Sequence, residues 1–475
     1  MKRLKVDVCI IGAGSGGLSV AAGAVQMGAS VVLIEGHKMG GDCLNYGCIP
    51  SKALLAAAKA AHAMQGGFGV AGVVPVVDYA AAKDHVRAVI ETIAPLDSQA
   101  RFEGLGVTVI RAYARFISAT EVEAGDCIIT ARRFVIATGS SPLVPPIPGL
   151  ANSANSGVPY LTNETIFDLR QRPDHLIVIG GGPIGMEMAQ AHRRLGSAVT
   201  VIEGLRALGK DDPEMAAVVL ERLRGEGIAI IEAAPAAEVR GVAGAIEVQV
   251  RDGRVFQGSH LLIAVGRKPN IDTLNLAAAG IEFDRGGLKV GADLRTSNRR
   301  VYGVGDVAGR LQFTHMAGYH AGVVIRSILF GLPSQAKTSH IPWATYTDPE
   351  LAQVGLTEAE AQKTHGAALS VVRLPFRDND RAVATGQRHG LIKVMVARGR
   401  PVGVSIAGAQ AGELIALWAM AIANRMKMSA IAATVLPYPT LNETSKRAAG
   451  AYFSPKLFDN PMVKRVVRLV QRLIP

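Results

Sequence analysis

An α/β fold holding two copies of one strand–turn–helix–strand unit is predicted by two glycine-rich turns 168 positions apart. The first follows the apolar run Val6–Ile11 and reads Gly12-Ala13-Gly14-Ser15-Gly16-Gly17. The second follows Leu176–Ile179 and reads Gly180-Gly181-Gly182-Pro183-Ile184-Gly185. Each unit closes on another strand run, Ser30–Ile34 or Ala198–Ile202, and a glutamate, Glu35 or Glu203, stands 23 residues beyond the first glycine. Length is the third observation. At 475 residues the chain exceeds one ordinary core, and ~150 residues per domain suggests roughly three.

One such turn is weak evidence, but two with their acids at the same distance predict two dinucleotide sites. The first glycine (Gly12, Gly180) makes the turn, and the second (Gly14, Gly182) lets backbone approach a pyrophosphate. The third (Gly17, Gly185) lets the helix pack close, with its positive end toward the phosphates. The glutamate receives ribose hydroxyls. Glu203 would repel a 2′-phosphate, which favours NADH over NADPH, while Arg206 and Lys210 nearby leave NADPH open.

Beyond the first unit lies Gly40-Gly41-Asp42-Cys43-Leu44-Asn45-Tyr46-Gly47-Cys48-Ile49-Pro50-Ser51-Lys52. Two thiols so close can cycle between dithiol and disulfide. An inert bridge or half a zinc site is disfavoured, because no second cysteine pair completes four ligands. Cys9 and Cys127 fall in apolar strand runs and read as buried small hydrophobes. Four cysteines suit a reducing, cytoplasmic compartment.

A strand over 134–137 closes on Thr138-Gly139-Ser140, and a proline-rich stretch to Gly149 reads as a crossover between domains. A similar strand ends at Gly266-Arg267-Lys268-Pro269-Asn270, and Val301–Asp306 precedes a helical pattern from about His315 to Phe330. After about Trp343 strands are expected around 370–376, 391–397 and 402–408, with helices near 412–425 and 443–453. The net charge of +12 comes with no long basic run or nucleic-acid motif, so nucleic acid is not an expected partner. At 463–474 apolar residues share one helical face and basic ones the other. Such a helix either packs on protein or makes peripheral membrane contact through 461–475. The uncharged run Val8–Ile34 is punctuated by glycines as strand–turn–helix–strand, so neither export nor a membrane span is expected.

These motifs, in this order, resemble those of the flavoprotein disulfide reductases. The resemblance implies two Rossmann-like domains, for FAD and NAD(P), and a C-terminal α+β dimerisation domain. It divides the chain into 1–148 (FAD domain, first part), 149–271 (NAD(P) domain), 272–342 (FAD domain, second part) and 343–475 (dimerisation domain). It implies FAD on Gly12, Gly14, Gly17, Glu35 and Gly41, with Thr138, Gly139, Gly266, Asp306 and His315 around the cofactors. Lys52 and Glu187 look like the pair beside the reactive flavin nitrogen, with Cys48 as the flavin-side thiol and Cys43 as the interchange thiol. No resident metal is implied.

The chain departs from the lipoamide and glutathione enzymes near its end. Where they carry a histidine base followed by a glutamate, it has Leu436-Pro437-Tyr438-Pro439-Thr440-Leu441-Asn442-Glu443. A phenol with an ordinary pKa of about 10 cannot replace an imidazole near 6.5. Tyrosine here resembles mercuric reductase, yet that enzyme also has a cysteine pair near its C-terminus, and nothing after Cys127 is cysteine. The expectation is a homodimeric NAD(P)H oxidoreductase of the mercuric-reductase-like branch, delivering electrons to a metal ion or small disulfide. Dihydrolipoamide dehydrogenase and a membrane-associated NADH:quinone oxidoreductase are the alternatives, with Tyr438 and Glu443 contributing to the site.

Overall fold

The computed structural model describes residues 1–150, 157–309 and 311–474, so a few residues near the start of the expected 149–271 domain lie outside the described residues. Two compact units form, one from residues 1–205 and 228–337, the other from 206–227 and 338–475.

The first unit contains a seven-stranded sheet. Its centre pairs the strand Lys2–Ile11 in parallel with Val31–Ile34 on one side and with Cys127–Ile136 on the other. Val8, Cys9 and Ile10 are fully buried, as expected of a central parallel strand covered on both faces. The strand Val301–Gly303 joins the end of Cys127–Ile136 in parallel, while Glu121–Ala124 pairs antiparallel with its beginning. The run Val8–Ile34 is the end of this first strand, the helix Ser15–Gln26 and the strand Val31–Ile34.

The second glycine turn belongs to a four-stranded parallel sheet in the order Ala229–Ile231, Ala198–Ile202, His175–Ile179, His260–Ile263. The two turns repeat each other. Gly12 and Gly180 have φ of 104° and 112°, where a side chain is strained. A Cβ on Gly12 would strike the Ala137 carbonyl oxygen, and one on Gly180 that of Ala264. Gly17 and Gly185 press against the carbonyls of Gly12 and Gly180, leaving no room for a methyl group.

The second unit is built on a five-stranded antiparallel sheet in the order Pro342–Thr345, Glu350–Gly355, Arg400–Gly408, Leu391–Ala397, Leu369–Pro375. Helix Ala411–Ala423 covers it, with Trp418 fully buried and its indole N–H donating to Ser445 Oγ at 3.1 Å. Buried Lys393 is held by Asp212, Glu214 and Glu358 at 2.7–2.8 Å, which satisfies a charge otherwise costly to bury. The strands expected at 370–376, 391–397 and 402–408 and the helices near 412–425 and 443–453 are present within a few residues. Among the described residues, no helix is long and apolar enough to cross a membrane.

Candidate active site

Gly40 and Gly41 have φ of 84° and 62°, and a Cβ on Gly41 would lie 2.7 Å from Gly14 Cα. That close approach seats the cysteine loop against the first glycine turn. Cys43 then falls in the short helix Gly41–Asn45, and Cys48 opens the helix Cys48–Ala63. No side chain caps this helix, so its free N–H groups and positive end favour a thiolate at its start.

The pair is present as the dithiol. A hydrogen bond from the Cys43 thiol is the main reason Cys48 is pulled down to about 6. Thr314 Oγ1 lies 3.3 Å from Cys48 Sγ and lowers it further, as does the Lys52 charge, against the opposing effects of burial and of Asp42. Cys43 moves strongly upward, because it shares its proton with Cys48 and is itself desolvated. One proton therefore serves two sulfurs: Cys48 carries the charge and Cys43 the hydrogen.

Lys52 is one helical turn beyond Cys48 and faces the same side. Its Nζ donates to Glu187 Oε2 at 2.8 Å and to Ser51 Oγ at 3.3 Å. Glu187 is buried on the helix Pro183–Arg194, which starts at the second glycine turn. Residues 135 positions apart are thus brought together beside the thiols.

A second network adjoins the cysteine loop. Arg267 forms an ion pair with Asp42 Oδ1 at 3.0 Å and, through Nε and Nη2, donates to Ser140 Oγ and the Ser140 carbonyl at 2.7 Å each. Ser140 Oγ donates in turn to Asp306 Oδ2 at 2.5 Å. Burial pushes the Asp306 carboxyl upward against these partners. Asn163 Nδ2 donates to Asp42 Oδ1 at 3.1 Å and to the Tyr46 carbonyl at 3.2 Å. Thr138 and Gly139 are tied to Asn270, whose side chain donates to the Thr138 carbonyl at 3.0 Å. Gly266 precedes Arg267, and His315 stacks on Phe313 at the start of helix Thr314–Phe330.

The glutamates of the two turns behave alike. Glu35 accepts from the N–H groups of Ala13 and His37 at 2.7 Å each. Glu203 accepts from Gly181 at 2.7 Å and Leu205 at 2.8 Å. Each oxygen keeps a further lone pair for a ribose hydroxyl. Neither helix Ser15–Gln26 nor Pro183–Arg194 has a capping side chain or an acid in its first turn. Both turns fit a dinucleotide.

Tyr438 and Glu443 lie in the second unit. The Tyr438 hydroxyl is exposed and donates to Asp380 Oδ2 at 3.0 Å, and this carboxylate pushes the phenol upward from its usual value. Glu443 opens helix Glu443–Ala451, and its Oε2 is buried without a hydrogen bond.

Sequence reasoning did not single out Thr314, Ser140, Asp42, Arg267 or Asn163 as site residues. Asp42 and Arg267 stood inside motifs already quoted, and Thr314 immediately precedes His315. Asn163 carried no signal.

Two dinucleotide turns and a dithiol define an oxidoreductase that exchanges electrons between dinucleotides and a thiol pair. The chain belongs to the pyridine nucleotide-disulphide oxidoreductases: residues 6–321 match that family and 341–449 its dimerisation domain. It is an FAD-dependent enzyme of this family, and the dimerisation domain indicates a homodimer. It is 34% identical to mercuric reductase from Lysinibacillus sphaericus, over 93% of this chain and 82% of the relative. It is 32% identical to dihydrolipoyl dehydrogenase from Geobacillus stearothermophilus, over 94% and 96%. Among solved structures it resembles the Cu(II) complex of the HOCl-induced flavoprotein disulfide reductase RclA from Escherichia coli, with a TM-score of 0.82 and 27% identity over 94% of this chain and 99% of that one. LpdA from Mycobacterium tuberculosis aligns with a TM-score of 0.85 and 27% identity over 95% and 100%.

Proposed function

We propose that the enzyme takes electrons from NADH and delivers them through Cys43 and Cys48 to a thiolate-binding acceptor, a metal ion such as Hg(II) or Cu(II). Bound FAD would accept hydride from the nicotinamide and return the electron pair to the cysteines. Gly12, Gly14, Gly17, Glu35, Gly41 and Asp306 would hold it, and Gly180, Gly182, Gly185 and Glu203 would hold the nicotinamide dinucleotide. Lys52 and Glu187 would fix the charge beside the flavin.

Reducing the disulfide takes two electrons, and one proton suffices to leave Cys48 as thiolate and Cys43 as thiol. Before Cys43 can attack an outside disulfide, its proton must go to a base. The observation that carries the reading is Tyr438, at the position where the family base is expected. Its hydroxyl already donates to Asp380 and is harder still to ionise than a free phenol. A soft metal ion needs no such base, because coordination itself displaces the thiol proton. Similarity to mercuric reductases and to a reductase solved with Cu(II) supports the same class of acceptor.

Dihydrolipoamide dehydrogenase is the second reading, favoured by Glu443 and the relative of that name. Thr440 Oγ1, Asn442 Oδ1, Glu443 Oε2 and Thr444 Oγ1 are all buried without a hydrogen bond, which suits a segment completed by a second subunit. NADH oxidation with lipoamide, set beside Hg(II) or Cu(II) plus excess thiol, separates the two. Metal reduction with negligible lipoamide turnover is expected, and fast lipoamide turnover would overturn the proposal.

A further inference from the structure

The C-terminal helix Pro461–Leu473 has no buried residue, so its apolar stripe does not pack into its own chain. It is built to form locally: Asn460 Oδ1 accepts from the Met462 N–H at 2.9 Å, and Pro461 occupies the first turn. At roughly 100° per residue, Met462, Val463, Val466, Val467, Leu469, Val470 and Leu473 fall within an arc of about 160°. Lys464, Arg465, Arg468 and Arg472 occupy the opposite side, and 461–475 contains no acid. Met462 and Leu473 are each 71% exposed and Val466 is 57% exposed.

We infer that this helix is an interfacial anchor for an anionic lipid surface. Thirteen residues span about 20 Å, too short to cross a hydrocarbon core of about 30 Å, so the helix lies along the interface with its stripe among the acyl chains. Charge decides between lipid and a second copy of the chain. Four cations with no anion complement anionic headgroups, whereas the same helix of a second copy would bring the same four cations and no acid. The inference does not depend on which acceptor the enzyme reduces.

The test is co-sedimentation of the full-length holoenzyme with vesicles of phosphatidylcholine alone and of phosphatidylcholine with phosphatidylglycerol. Binding is expected only to the anionic vesicles, with release at high salt. Val466→Asp with Val470→Asp should lower partition at least about 30-fold. Arg465→Gln with Arg468→Gln should lower it about 25-fold, at about fivefold per charge. Flavin content and NADH turnover of the variants report an intact fold. Failure to bind anionic vesicles, or binding that survives the double aspartate variant, would overturn the inference. A change of oligomeric state in that variant without lipid would instead assign the stripe to a second copy.

Discussion

The hydroxyl of Thr314 lies 3.3 Å from the sulfur of Cys48, although the two residues are 266 positions apart. Each begins a helix, so two positive helix ends and one hydroxyl converge on a single thiol. The hydrogen bond from Cys43 remains the larger cause, and with Thr314 and Lys52 it makes a thiolate the resting form of Cys48 near neutral pH.

Because the Cys48 pKa is lowered, the thiolate is present above about pH 6 and is lost below it. Thr314→Val should move that midpoint up by about one unit, since a hydrogen bond to a charged group is worth about 1.5–3 kcal/mol and part of it is replaced by water. The pH dependence of thiolate absorbance and of alkylation in the reduced protein measures this. An unchanged midpoint would remove Thr314 from the site.

Lys52 supplies charge to Cys48 and an ammonium to the buried Glu187. Lys52→Met should raise the Cys48 midpoint and destabilise the fold by about 1–3 kcal/mol, less than a fully buried pair because Lys52 is partly exposed. Glu187→Gln should cost less, because it removes the buried charge as well. Urea denaturation of the two variants would show no loss of stability in either if the pair were unimportant to the fold.

Tyr438→His restores an imidazole where the phenol stands. Lipoamide turnover should rise by about 10²–10⁴ if a missing base is what limits it, while Hg(II) or Cu(II) reduction changes little. Equal effects on both acceptors would refute the argument that their proton requirements differ.

Glu203 is anchored at both oxygens by backbone N–H groups, so its charge is fixed at the tip of the strand Ala198–Ile202. Glu203→Ala should lower the KM for NADPH at least about tenfold by removing repulsion of a 2′-phosphate. The KM for NADH should rise as ribose contacts are lost. Steady-state kinetics with both donors is the check, and an unchanged ratio of the two KM values would argue against this dinucleotide assignment.

The sequence alone determined the features set by short-range backbone geometry. Gly12 and Gly180 announce tight turns, apolar runs such as Val6–Ile11 announce strands, and the spacing of Cys43 and Cys48 announces two neighbouring thiols. The alternation of apolar and basic residues over 463–474 likewise announced the helix, because its period is local. Only the tertiary structure decided what meets across the chain. Thr314 reaches Cys48, and Arg267 joins Asp42 to Ser140, because sheet order and helix packing bring distant segments together. The exposure of the C-terminal stripe was also a tertiary matter: an amphipathic pattern specifies two faces, and packing alone determines whether the apolar one is covered.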